Sequence, residues 1–144
     1  MEYTEYTVAV ALRQNNKLWM SQRIQTKNFH GIWQFAGGKC NKHENPIDGS
    51  IRELEEETNL KIDYNRLRYV GCIMSDPTTK CCYVYQLDLR DDEIPVRTEN
   101  TMTDWMFLTY DEALSRDLMP GLREIIIRFK KESLQDKRLG ENYE

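Results

Sequence analysis

The chain has 144 residues, 20 Lys+Arg against 24 Asp+Glu, and a formal charge of −4; at ~150 residues per domain this fits a single one. Its 40% hydrophobic and 31% charged residues exclude a disordered or collagen-like chain, and no apolar run nears the ~18 to 20 residues that span a bilayer. The N-terminus, Met1-Glu2-Tyr3-Thr4-Glu5, lacks the basic-then-apolar profile of a secretion signal, so a cytoplasmic location is expected. An acidic balance with dispersed Lys and Arg speaks against a nucleic-acid polymer as partner, and the lack of a spanning apolar run against a membrane.

Residues 6–12 (YTVAVAL) and 17–24 (KLWMSQRI) are rich in β-branched and aromatic side chains, and read as two strands joined at Gln14-Asn15-Asn16. A short extended stretch from Trp33 is expected to end in a loop at Gly37-Gly38. Asn45 suits an N-cap, Pro46 the first helical position and Asp48 a capping-box-like start, so a helix is expected to run to Thr58. Ile47, Ile51, Leu54 and Thr58 give it a mostly apolar stripe to pack on a sheet, and Asn59 suits a left-handed C-cap. Residues 67–74, 80–89 and 102–108 read as strands, with a turn at 75–78, a helical turn at 111–115 and an amphipathic helix at 121–134. The charged residues 135–144 form a tail expected to fray. Strands before and after a helix, without regular β–α alternation, give a mixed α/β domain over residues 1–134. The cysteines Cys40, Cys72, Cys81 and Cys82 form neither a C-x-x-C pair nor a zinc spacing, and reduced thiols are expected.

Glu53, Glu56 and Glu57 stand at i, i+3 and i+4, so they share one side of the first helix, opposite its expected apolar stripe; Glu55 adds a fourth acid. Like charges at this spacing cost a few tenths of a kcal/mol per pair, with Arg52 the nearest relief, and the cluster calls for a cation. Clustered carboxylates are hard ligands that suit Mg²⁺ or Mn²⁺ better than zinc. Such an ion bridges carboxylates to a diphosphate and lowers the pKa of a bound water, whose proton one of the glutamates can accept.

From Gly38, five residues lead to Glu44, seven more to Arg52-Glu53-Leu54, and then come Glu55-Glu56-Glu57, Thr58, Asn59 and Leu60. This resembles the Nudix box, G-x5-E-x7-R-E-U-x-E-E-x-G-U with U aliphatic, departing from it at Asn59, which tolerates the left-handed backbone that Gly serves. The likeness extends from about Val8 to Phe129 and is nearest to the MutT-like branch: Arg23 stands where those enzymes keep a phosphate-contacting arginine, and Trp33-Gln34-Phe35-Ala36-Gly37-Gly38-Lys39 is similar to their segment entering the loop. The resemblance implies an α/β/α sandwich with a mixed sheet, and Mg²⁺, with Mn²⁺ as a substitute. It implies a metal site of Glu53, Glu56, Glu57 and the Gly37 carbonyl, completed by Glu99 with Glu93 as fallback. It makes Glu53 or Glu57 the base, Arg52 an ion-pair orienter and Glu44 loop support. Gly38, Lys39, Arg23 and Phe35 are the expected substrate contacts, with Trp33, Tyr83 and Tyr85 as further candidates for stacking on a base, whereas His30 and His43 read as surface loop residues.

The reaction so implied is hydrolysis of a nucleoside or deoxynucleoside triphosphate, oxidised or non-standard ones included, to monophosphate and pyrophosphate, with cleaning of the nucleotide pool as the expected role. The stretch Leu118-Met119-Pro120-Gly121-Leu122-Arg123 lacks the asparagine with which MutT reads oxidised guanine, so guanine selectivity is not expected. Rivals are hydrolysis of another nucleoside diphosphate derivative, such as ADP-ribose or a dinucleoside polyphosphate, and a non-catalytic nucleotide sensor. Retention of every box glutamate favours catalysis over the sensor.

Overall fold

The computed structural model describes residues 6–23, 31–74, 81–98 and 102–142; the turn expected at 75–78 lies outside them. Its frame is a sheet of seven strands: β1 (Thr7–Gln14), β2 (Lys17–Arg23), β3 (Trp33–Gln34), β4 (Ala36–Lys39), β5 (Arg68–Ile73), β6 (Cys82–Asp88) and β7 (Met102–Thr109). β1 runs parallel to β6 along its whole length, from Thr7 opposite Cys82 to Arg13 opposite Asp88. Its other edge is shared. Near the hairpin it pairs with β2 (Arg13 with Leu18), and its first half pairs antiparallel with β4 (Thr7 with Lys39, Val10 with Ala36). The hairpin turns at Asn15 and Asn16, both left-handed (φ 54° and 60°), the backbone that a two-residue connection of matching twist requires. β2 then diverges to pair with β7 and β3.

Alternation along β1 divides the core between two faces. Ala11 joins Leu18, Met20, Trp33, Phe35 and Val84 beneath α2 (Tyr110–Leu114) and α3 (Leu122–Asn142), whose Ala113, Leu122, Ile126 and Phe129 are buried. Val10 and Leu12 point the other way, joining Trp19, Ala36, Tyr85 and Leu87 beneath Leu54 of α1 (Pro46–Thr58). Helices on both faces of a mixed sheet are the α/β/α sandwich expected from the sequence. Among the described residues no helix is long and apolar enough to cross a membrane.

Four expectations need correction. The glycine pair does not end a strand: Gly37 and Gly38 lie inside β4, paired with Ala9 and Val8. A Cβ on Gly37 would lie 2.0 Å from the Val8 carbonyl oxygen, so only glycine lets the two backbones approach this closely. Phe35 is 2% exposed within the α3-side core and cannot stack on a substrate; alternation sends Trp33 and Phe35 inward together. α3 continues past the expected end to Asn142. Residues 135–142 contain Gln, Lys, Arg and Leu and no proline, so a helix already nucleated on the core extends through them. Finally, Cys72 and Cys81 form a disulfide across the β5–β6 pair, their Cα atoms 6.1 Å apart, whereas Cys40 and Cys82 are free thiols. Strand register, which sets Cys72 opposite Tyr83 and Ile73 opposite Cys82, brings the two sulfurs together and is not visible in cysteine spacing.

Candidate active site

α1 starts as its sequence dictates. The Asn45 side chain accepts from the Asp48 N–H at 2.8 Å, Pro46 opens the helix, and Asn59 closes it at φ 62° with its N–H on the Glu55 carbonyl. The face it buries is not the expected one. Gly49, Ser50, Leu54, Glu57 and Thr58 turn to the sheet, while Ile47 is 37% exposed and Ile51 half-buried. Small and self-satisfied residues permit this close seating. A Cβ on Gly49 would meet the Cys40 sulfur at 2.4 Å, and the hydroxyls of Ser50 and Thr58 donate back to the Pro46 and Leu54 carbonyls at 2.8 and 2.6 Å.

This rotation buries Glu57, which is 4% exposed. Its Oε1 accepts the Gly37 N–H at 2.6 Å, joining the helix to β4 through a charge-assisted bond. One turn earlier Glu53 lies against Gly38, where an added Cβ would stand 2.7 Å from the Glu53 carboxyl carbon. The glycine pair is therefore a cradle for two carboxylates.

Arg52 gathers the rest. Its Nε and Nη2 donate to Glu44 at 2.9 and 3.0 Å, Nη1 to Glu53 at 3.2 Å and Glu56 at 3.1 Å, and Nη2 also to the Lys39 carbonyl at 2.9 Å. Glu44 further accepts the Asn41 N–H at 2.9 Å, and its carbonyl accepts from the Tyr6 hydroxyl. The bonds from Arg52, reinforced by that N–H, hold the Glu44 carboxyl below the usual carboxylate range, and Glu44 in turn raises the pKa of Arg52. Burial, followed by the nearby Glu44 charge, pushes the Cys40 thiol up to about 11, so it stays protonated and inert.

The C-terminal turn of α1 is closed from outside. Val96 N–H donates to the Thr58 carbonyl at 3.1 Å, Thr98 N–H to the Glu57 carbonyl at 3.3 Å, and the Thr98 hydroxyl to the Glu56 carbonyl. Sequence reading missed this segment, because a helix cap supplied by a distant loop leaves no local signal.

The other expected residues separate clearly. Arg23 ends β2, with a buried Nε that has no hydrogen-bond partner among the described residues, while Lys39 is exposed at the end of β4. Trp33 and Tyr85 are core residues; Tyr83 is half-buried, its ring edge-on to Tyr6 with centroids 5.5 Å apart. His43 is exposed, and His30 and Glu99 lie outside the described residues. The fallback ligand Glu93 is committed elsewhere: Arg66 grips its carboxylate with two bonds of 2.6 and 2.7 Å. Arg66, helped by the Arg90 N–H, holds Glu93 at about 2, against 4.5 ordinarily. A carboxylate depressed on folding contributes stability above its unfolded pKa and loses it as pH falls through the folded one. Acid denaturation followed from pH 4.5 to 2 should therefore show a component that Glu93→Gln removes; an unchanged acid profile would contradict this pairing.

The donors suit a hard divalent cation: Glu53, Glu56, Glu57 and the Gly37 carbonyl are all oxygen, beside a cradle that a side chain at Gly38 would fill. Among the described residues no three acids, histidines or cysteines converge into a ready cage. Glu53 and Glu56 turn to Arg52, and Glu57 to the Gly37 N–H, so a bound ion would compete with these bonds.

The NUDIX domain family model matches residues 4–129, and the chain belongs to that family. It is similar to an 8-oxo-dGTP diphosphatase from Buchnera aphidicola subsp. Schizaphis graminum (strain Sg), 34% identical over 73 residues that cover 51% of this chain and 54% of that protein. It is also similar to a CTP pyrophosphohydrolase from Escherichia coli (strain K12), 33% identical over 54 residues, 38% of this chain and 40% of that one. The matches thus span about half or less of these curated relatives. Among solved structures it resembles the MutT protein from Methanosarcina mazei Go1, with a TM-score of 0.69, 20% identity and coverage of 92% of this chain and 98% of that one; at that identity the likeness shows the fold. Nudix hydrolases generally need a divalent metal ion.

Proposed function

We propose that the chain is a Mg²⁺-dependent hydrolase that adds water across a phosphoric anhydride of a nucleoside or deoxynucleoside triphosphate, giving the monophosphate and pyrophosphate. The observation that carries this reading is the convergence of three glutamates beside the Gly37-Gly38 cradle, Glu53 and Glu56 held by Arg52 and Glu57 by the Gly37 N–H. Both named curated relatives act on nucleoside triphosphates, by their names, which favours that substrate class.

In this reading Glu53, Glu56, Glu57, the Gly37 carbonyl and Glu99 would hold Mg²⁺, for which Mn²⁺ would substitute. When bound, the ion neutralises phosphate charge and makes a water more acidic. Glu53 or Glu57 would accept the proton of the attacking water. Arg23, whose buried Nε lacks a partner among the described residues, and Lys39 receive phosphate oxygens. Arg52 and Glu44 orient the carboxylates rather than touch the reacting atoms.

The test is chromatographic analysis of the products, nucleoside phosphates, sugar phosphate and pyrophosphate, formed from the dNTPs, oxidised dGTP, ADP-ribose, diadenosine polyphosphates and capped RNA, with Mg²⁺ and then with EDTA. Triphosphates should release pyrophosphate with Mg²⁺ and none with EDTA. Hydrolysis confined to ADP-ribose or another conjugate would overturn the substrate class, and silence across the panel would overturn catalysis.

A further inference from the structure

The last four carbonyls of a helix have no partner within it. In α1 the Glu55 carbonyl is met locally by Asn59, but those of Glu56, Glu57 and Thr58 are met by Thr98 and Val96. Two of those three belong to candidate site residues. The turn that presents Glu56 and Glu57 is thus held by a segment about forty residues further along the chain.

That segment is anchored at its other end by one ion pair. Arg66, in the 3₁₀ turn Tyr64–Arg66 that follows α1, holds both oxygens of Glu93 and also donates to the Asp88 carbonyl at 3.0 Å. Glu93 reaches back to the Arg90 N–H at 2.8 Å, and Gln14 donates to the Arg90 carbonyl at 2.8 Å. Both side chains of the pair are mostly buried, 18% and 17% exposed, so solvent screens it less than a surface bridge. Between Glu93 and Val96 stand Ile94 and Pro95 alone. Pro95 is buried and fixes its own φ, and it restricts Ile94 to extended backbone. A displacement of Glu93 is therefore passed along a stiff link to the bonds that cap α1.

We propose that Arg66 and Glu93 are positioning residues for the candidate active site, setting the turn of Glu56 and Glu57 through segment 93–98. The claim rests on the hydrolase reading for its catalytic consequence, but not for its structural one. The test compares the full wild-type chain with Arg66→Ala, Arg66→Lys and Glu93→Gln. In Arg66→Ala, hydrogen exchange at the Val96 and Thr98 amides should accelerate at least about tenfold while β1 and β6 amides stay protected. Mn²⁺ affinity, read by electron paramagnetic resonance, should fall about tenfold, the loss typical of a supporting residue behind a metal ligand. kcat should fall by a similar factor, with the nucleotide KM within about twofold, and Arg66→Lys should recover part of each loss. Should Arg66→Ala fail to fold, Glu93→Gln carries the same comparison. Unchanged exchange at Val96 and Thr98 would overturn the proposal, as would accelerated exchange with unaltered Mn²⁺ affinity. A wild-type chain that hydrolyses nothing would defeat the hydrolase reading alone, because exchange and Mn²⁺ binding still decide whether the pair positions the site.

Discussion

Glu57→Gln is expected to lower nucleoside triphosphate turnover by about 10²- to 10⁴-fold, the range for losing a positioned acid–base group, while leaving the fold intact. The two halves of that expectation have separate causes. Glu57 is buried and receives the Gly37 N–H at 2.6 Å; the amide oxygen of Gln can accept the same bond, so the helix stays joined to β4. What Gln removes is the negative charge, and with it the capacity to hold Mg²⁺ or take a proton. Glu53→Gln should show the same pattern for the same reason. Thermal melting of both variants within a few degrees of wild type, beside lost turnover in saturating Mg²⁺, would support the assignment. Near-wild-type rates in either would mean that these carboxylates are an acidic helix face and nothing more.

Glu57 also shows where sequence reading succeeds and where it stops. Its membership of the site follows from spacing, because i, i+3 and i+4 positions share a helix side whatever the rest of the chain does. Its burial does not follow, because polarity alone placed it opposite the stripe of Ile47 and Ile51. The structure turns the helix so that Gly49, Ser50 and Leu54 meet the sheet with Glu57. What decides the rotation is the fit of α1 against β4 and Cys40, a tertiary fact. Strands and caps were legible because their causes are local: the Asn45 cap, the left-handed Asn59 and the Asn15-Asn16 turn each act within a few residues, whereas the α/β/α class came from the likeness to the Nudix box. Long-range matters were not. The pairing of Glu93 with Arg66, the disulfide of Cys72 with Cys81 and the docking of Thr98 on α1 join residues through the topology. Glu93 looked available as a ligand because nothing near it in sequence shows that Arg66 already holds it.

Arg52→Ala is expected to destabilise the fold by about 2–4 kcal/mol, near the range for removing one partner from a buried ion pair, and to lower turnover by about 10- to 100-fold, as for other supports of metal ligands. The side chains of Glu44 and Glu53 are only 15% and 13% exposed, so water replaces the lost guanidinium poorly. Glu56, at 52%, adds little to the cost. Arg52→Lys separates charge from geometry. An ammonium restores a point charge but cannot span Glu44, Glu53 and the Lys39 carbonyl at once, as the planar fork does; it should recover part of the stability and less of the turnover. The pH dependence gives an independent check. Arg52 depresses the Glu44 pKa, so the stabilisation it confers is present above the unfolded value of 4.5 and lost as pH falls through the folded one. The gap in denaturant midpoint between wild type and Arg52→Ala should therefore be widest near neutrality and narrow on acidification below pH 4.5. A gap that stayed constant with pH would show that Arg52 acts through packing of its stem rather than through Glu44. Lysine performing as well as arginine would show that the fork is not what aligns the carboxylates.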